Sequence, residues 1–165
     1  IRRPPRSTLD RSSAASDVYK RQVKKPWGYE RWISDGQPDF RYVLKEIFFR
    51  SPFRTSTQVH KFKEETNYIL SGKGILFYSE ENFDVEKYEN NEYSKDDITK
   101  FLAELKKQEL TKGKVVHIKP GCIHRIEALE DLTIIESSSV ELDDVIRMED
   151  DTGRPNGRIE SEHSK

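Results

Sequence analysis

The chain has 165 residues, 29 Lys/Arg against 30 Asp/Glu, 33% hydrophobic and 36% charged residues, and a formal net charge of −1. That length suits one domain with a real core, and no apolar run approaches the roughly 18 residues of a membrane-spanning helix. Cys122 is the only cysteine, so no internal disulfide forms. This fits a reducing compartment, and a cytoplasmic location is expected.

Residues 1–22, IRRPPRSTLDRSSAASDVYKRQ, have no apolar periodicity and lack the apolar stretch of a secretion signal. They are similar to translated sequencing-adapter sequence and are expected to be a disordered, non-native leader. The chain begins at Ile1, and its one methionine is Met148. The rival reading is a basic nucleic-acid-binding arm. These residues hold six basic and two acidic side chains, which leaves 23 basic and 28 acidic ones, net −5, in the remainder. That balance is unsuited to a phosphate backbone, so no nucleic-acid partner is expected.

Phe40–Phe49 is rich in aromatic and β-branched residues and reads as a strand. Thr55–His60, Asn67–Leu70, Gly74–Tyr78, Val115–Ile118, Ile123–Ala128 and Thr133–Ser138 follow as short strands, parted by Ser-Gly, Pro-Gly and acidic turns. This series predicts an all-β barrel or two-sheet roll over residues 23–155. Residues 80–112 interrupt it. Glu80–Tyr93 is acidic and Asn-rich, a surface excursion. Ser94 as cap, with Asp97 three residues on, starts a helix over about 94–110. Ile98, Phe101, Leu102 and Leu105 share one face of it. That face predicts packing on the outside of the barrel; a lid or partner surface is the alternative. Residues 156–165 are expected to be a disordered tail.

Two of the four histidines fall where metal ligands would cluster. Alternate strand residues face the same side, so Gln58 and His60 look into one cavity. Glu65 follows past a short turn, and His124 arrives from a distant strand. An imidazole, carboxylate and amide set suits one divalent first-row ion, such as Zn, Mn, Fe, Co or Ni, rather than a thiolate site. His117, between Val116 and Ile118, reads as an ordinary strand residue, and His163 as a solvated one. Cys122, two residues before His124, reads as a small buried apolar side chain rather than a cavity group.

These residues resemble the two motifs of the cupin family. The first, G-x5-H-x-H-x3-4-E-x6-G, reads here Pro52-x5-Gln58-x-His60-x4-Glu65-x6-Gly72. The second, G-x5-P-x-G-x2-H-x3-N, reads Gly113-x5-Lys119-x-Gly121-x2-His124-x3-Ala128. Ligand spacing is intact in both. Pro52, Lys119 and Ala128 depart at turn or terminal positions, and Gln58 replaces the first ligand His. The run TQVHKFKEETNYILSGKG resembles, within that family, the cupin domain of type II mannose-6-phosphate isomerases, where Gln-x-His-x4-Glu stands in the same place. KPWGYERW, Lys25–Trp32, is similar to that family's N-terminal signature. ELDDVIRMEDDTGR, Glu141–Arg154, is similar to its C-terminal D-D-x-x-R-x-E-D-x-x-G-R tail.

The resemblance implies a double-stranded β-helix, or jelly roll, with one divalent metal on Gln58, His60, Glu65 and His124. It implies aldose–ketose isomerisation of a hexose 6-phosphate in polysaccharide or nucleotide-sugar precursor metabolism. The metal would be the Lewis acid. Arg125, Lys63 and Lys119 are the candidate contacts to the substrate phosphate, and Glu136 is a candidate base. Asp144 and Arg147 are expected to fix the C-terminal segment over the domain. Lys61, Phe62 and Lys63 stand where the bifunctional enzymes carry His and Arg. No Gly-rich sugar-nucleotide motif occurs, so guanylyltransferase activity is not carried over. The alternative is a non-catalytic sugar or sugar-phosphate binding cupin, and a dioxygenase is a third case. The expected partner is a small sugar phosphate, with no membrane and with a homodimer left open.

Overall fold

The computed structural model describes residues 21–35 and 41–163. In chain order the elements are β1 (Arg21–Lys25), β2 (Gly28–Asp35), β3 (Val43–Phe49), β4 (Thr57–Val59), β5 (Glu65–Ser71) and β6 (Lys73–Tyr78). Then come α1 (Val85–Glu89), α2 (Lys95–Ala103), β7 (Lys106–Thr111), β8 (Val115–Ile118), β9 (His124–Ala128), β10 (Leu132–Ser138), β11 (Ile146–Glu149) and α3 (Glu160–His163). A six-stranded sheet, β1-β2-β3-β10-β5-β8, faces a five-stranded sheet, β11-β4-β9-β6-β7. Every pairing between these strands is antiparallel. This is the expected all-β jelly roll. No helix among the described residues is long and apolar enough to cross a membrane.

Strict alternation builds the interior. Along β3, Val43, Lys45, Ile47 and Phe49 are buried while the residues between them are half-exposed. Trp27, Ile47, Phe49, Ile69, Leu76, Ile126, Leu132 and Ile134 fill the space between the sheets. Near one end of the roll the same inward parity carries ionisable groups. Lys45 pairs with Glu136 in register, and Glu136 with Asn67, one step from the Ile47–Ile134 pair. This polar level positions the site.

Three expectations are corrected. The helix expected over about 94–110 ends at Ala103, and Lys106–Thr111 is a strand against β6. Leu105 fits the helical face, but the unpaired edge of β6 takes over from Lys106. The reading of α2 as packed on the barrel agrees with the structure. Ile98, Phe101 and Leu102 join Tyr88 and Tyr93 around the buried Phe83, Val59 and Ile123. Second, residues 156–163 are structured: α3 packs on β1, and Glu162 pairs with Lys25 and Arg154. His163 meets the Trp32 ring edge-on at 5.7 Å, so it is not a freely solvated residue. Third, the N-terminal boundary moves. Arg21 and Gln22 pair with Trp32 and Arg31 in the β1–β2 hairpin. The rest of the expected leader, along with Phe40 and residues 164–165, lies outside the described residues.

Gly72 turns the chain from β5 into β6 at φ +83°, and a Cβ there would lie 2.0 Å from the carbonyl oxygen of Asp131. Gly72→Ala should therefore lose on the order of 2–3 kcal/mol of stability. The loss would register as a lower urea midpoint at unchanged slope; an unmoved midpoint would contradict this close approach.

Candidate metal centre

The site lies between the two sheets. Glu65 opens β5 of the larger sheet. His124 opens β9 of the smaller one, opposite Gln58 on β4. His60 follows directly after β4. His60 Nε2 is 3.9 Å from one Glu65 oxygen and His124 Nε2 is 3.8 Å from the other. One ligand atom from each of the three lies within 4.8 Å of the others. The residues are 0%, 5% and 3% exposed, in the order His60, Glu65, His124. Gln58 stands beside this triad: its Nε2 is 3.4 Å from His124 Nε2, while its Oε1 accepts from Ser56 Oγ at 2.8 Å.

Backbone carbonyls orient both imidazoles. His60 Nδ1 donates to the carbonyl of Asp144, and His124 Nδ1 to that of Cys122 at 3.0 Å. A carbonyl can only accept, so each Nδ1 carries the proton and each Nε2 presents its lone pair to the site. Burial, then the nearby Lys63, pushes the pKa of His60 down to about 3. Its contact with Glu65 is therefore that of a neutral imidazole, not an ion pair. Burial also lowers the pKa of His124. Burial works against the charge on Glu65, but Lys63, His124 and His60 outweigh it and hold the carboxyl well below the usual range. His60 Nε2 is buried without a hydrogen-bond partner. An orphaned acceptor of this kind costs roughly 1–3 kcal/mol, which a cation bound there would remove. Two neutral imidazoles and one carboxylate fit a divalent metal.

Asp144 sets the geometry twice over. Its carbonyl orients His60, and its carboxylate accepts from the backbone N–H groups of Lys61, Phe62 and Lys63. The loop between the first two triad ligands is thereby clasped from the C-terminal segment.

The remaining predicted residues separate. Lys63 is in the cavity, its Nζ bonded to Glu65 and, at 3.2 Å, to Glu136. Burial disfavours its charge, yet Glu136 and Glu65 raise its pKa above the usual lysine range. Glu136 is buried on the cavity wall between Lys63 and Lys45. Arg125 is not on that wall. It is adjacent to His124 in the strand, so alternation turns it away. Its Nε donates to the Thr55 carbonyl at 2.8 Å and its Nη2 lies 3.4 Å from Asp151. Lys119 is exposed and also off the wall. Cys122 packs against the core with its thiol toward the Ser79 carbonyl, and His117 is an ordinary strand residue bonded to Thr66.

From Lys63 a row of alternating charges continues through Glu136, Lys45 (3.6 Å), Glu30 (3.4 Å), Lys25 (3.6 Å) and Glu162 (2.8 Å). It ends at Arg154 (3.3 Å) and Asp150 (2.7 Å). The sequence reading missed Lys45, Glu30 and Lys25. The signal was present: Lys45 and Glu136 share strand parity with Ile47 and Ile134, so a charge was bound to enter the core. The free volume of the cavity, about 110 Å³, is several times what one water needs.

No protein-family model and no curated protein matches the sequence. Solved structures match the fold. CapF, a capsular polysaccharide assembling protein of Staphylococcus aureus, aligns at 20% identity and TM-score 0.50 over 82% of this chain and 30% of its own. CapF with an inhibitor aligns at 18% identity and TM-score 0.56, over 78% and 34%. A cupin-like protein of Thermotoga maritima aligns at 17% identity and TM-score 0.55, over 82% and 90%. KdgF of a Halomonas species aligns at 17% identity and TM-score 0.50, over 78% and 89%. The chain thus has the cupin fold, and it spans about a third of the CapF chains it matches.

Replacing both His60 and His124 with Ala should abolish stoichiometric metal in the purified protein, as read by elemental analysis. Asp144→Ala should weaken metal binding roughly 10- to 100-fold in a chelator competition, because it frees the ligand loop. Unchanged affinity would remove Asp144 from the site's support.

Glu30 gives a pH test. Burial opposes its charge, but Lys45 and Lys25 prevail and pull its pKa down from 4.5 to about 2. A depressed carboxyl stabilises the fold fully above its unfolded pKa of about 4.5, and that stabilisation is lost as the pH falls toward 2. The contribution at neutral pH is on the order of 3 kcal/mol. Glu30→Gln should be less stable at pH 7 and lose less stability between pH 5 and 2 in urea titrations. Parallel curves would refute the pairing.

Proposed function

We propose that this protein is a metal-dependent sugar-phosphate isomerase of the cupin type, acting on mannose 6-phosphate or a close relative, as in type II mannose-6-phosphate isomerases. The observation that carries the reading is convergence. The three segments that resemble that family lie far apart in sequence, yet all supply walls of one cavity. Trp27, Glu30 and Trp32 come from the first, Gln58, His60, Lys63 and Glu65 from the second, and Arg147 and Arg154 from the third. The similarity to a capsular polysaccharide assembling protein supports a place in the supply of sugars for polysaccharide.

His60, Glu65 and His124 would hold the divalent ion, which when bound would polarise the substrate carbonyl. Glu136 is the base: its carboxylate takes a proton from the hydroxyl-bearing carbon next to the carbonyl and returns it to the carbonyl carbon, while that carbon's hydroxyl proton passes to the former carbonyl oxygen. Lys63 and Lys45, 3.2 and 3.6 Å from its oxygen, fix where it points. Trp27, Ile47 and Phe49 line the cavity and limit water. A second reading, a sugar-phosphate binder without turnover, draws on one observation. Glu136 already faces two lysines, at 3.2 and 3.6 Å, so its oxygen is engaged by the protein rather than turned to a substrate.

A coupled assay with mannose 6-phosphate decides between them. Metal-loaded protein should turn over and lose activity on chelation. Glu136→Gln should lower kcat on the order of 100-fold or more with metal content unchanged. Binding without turnover would establish the second reading, and neither would end both.

A further inference from the structure

Arg147 is the one cation on the cavity wall, among the described residues, with no carboxylate in ion-pair contact, although Asp150, Glu162 and Glu30 act on it from farther off. Lys25, Lys45, Lys63 and Arg154 each face a carboxylate within 3.6 Å. Arg158 pairs with Glu160 at the surface. Arg147 instead donates from Nη1 to two backbone carbonyls, those of Pro155 and, at 2.9 Å, Gly157. Its Nε is buried and has no hydrogen-bond partner. Burial and the neighbouring Arg154 lower its pKa from the ordinary value, but a guanidinium keeps its charge at any ordinary pH. The result is a positive charge on the cavity wall with an unused donor.

Its position follows from register. Arg147 is opposite Gln58, and Gln58 is opposite His124. Residues paired across antiparallel strands share a face. The three therefore form one row on the inner side of the smaller sheet. Ile146 and Met148 alternate outward into the second apolar cluster. Two strand spacings separate the Arg147 backbone from that of His124, roughly 10 Å.

We infer that Arg147 is the phosphate contact of this cavity: a hexose monophosphate lies along the row, its carbonyl end at His60, Glu65 and His124 and its phosphate at Arg147 Nε. This rests on the isomerase reading for the identity of the sugar, not for the anion site itself. It replaces Arg125 and Lys119, which face elsewhere. Its chemistry is a charge-assisted N–H to phosphate-oxygen bond, the interaction for which guanidinium is best shaped.

The purely structural account of Arg147 is that it pins the turn at residues 155–157. The test separates the two accounts. Titration calorimetry on the full-length, metal-loaded protein would use mannose 6-phosphate, inorganic phosphate and mannose against wild type, Arg147→Gln and Arg147→Lys. Arg147→Gln should weaken mannose 6-phosphate and phosphate at least tenfold, leave mannose within twofold, and keep the metal content. Arg147→Lys should fall between them. Should Arg147→Gln not fold, Arg147→Lys carries the test, with a several-fold loss for phosphate compounds at an unchanged melting temperature. Equal losses for mannose and its phosphate, no loss at all, or a wild type that binds no phosphate compound would each overturn the assignment. The two proposals fail separately. Arg147-dependent binding without turnover sinks the isomerase and keeps the subsite. Turnover with Arg147-independent binding does the reverse.

Discussion

Glu65 can stay ionised between two packed sheets because Lys63 lies between it and Glu136. An unpaired carboxylate at that depth would cost several kcal/mol and would take up a proton instead. The ammonium bonded to both holds Glu65 as a carboxylate, which is the form that a metal site requires. It also fixes Glu136 at the wall, where a base is useful. Removing Lys63 would leave two like charges facing each other, so the site's electrostatics and its geometry have one origin.

The same logic extends outward. Lys63 alone leaves Glu136 half-satisfied, and Lys45 completes it. Lys45 would be an expensive buried cation without Glu30, and Glu30 without Lys25. Each buried charge calls for the next until the row closes on α3 and the Arg154–Asp150 pair. The Trp32 ring supports this row twice, donating its indole N–H to Glu30 and lying 4.8 Å from the Lys45 ammonium. The N-terminal hairpin and the C-terminal helix are far apart in sequence. They meet because both ends of the chain supply members of one neutral array.

The parts of this architecture that were legible in sequence are those set by short-range rules. Period-two alternation marked the central strands, and ligand spacing marked His60, Glu65 and His124. Parity also left Arg125 an alternative to phosphate binding: one residue from an inward His124, it would face outward into an ion pair, and it lies against Thr55 and Asp151. The end of α2 was illegible because Leu105 continues the helical face while the open edge of β6 recruits the very next residue. Sequence pattern alone predicts no strand in the hairpin Arg21–Asp35, where Arg21 and Gln22 fall in the leader, and predicts a disordered tail over residues 156–165. Their partners are Glu162, Arg154 and Lys25, and nothing local in sequence announces an ion pair spanning 137 residues.

The segment from Asp144 to Asp151 shows why such a charged stretch is not a solvated tail. Asp144 clasps the loop between His60 and Glu65. Arg147 stands in the row with Gln58 and His124. Asp151 receives a bidentate contact from Arg54 and a further one from Arg125. Three consecutive tasks fall on eight residues because β11 lies at the edge of the smaller sheet, next to the ligand strand β4. An edge strand paired on one side only is held weakly by its backbone alone. Here charge-assisted contacts at both ends supply the missing restraint, and they transmit any shift of β11 to the His60 carbonyl contact. The candidate metal ligands and the Arg147 guanidinium therefore share one strand's position, so the two ends of the cavity cannot be displaced independently.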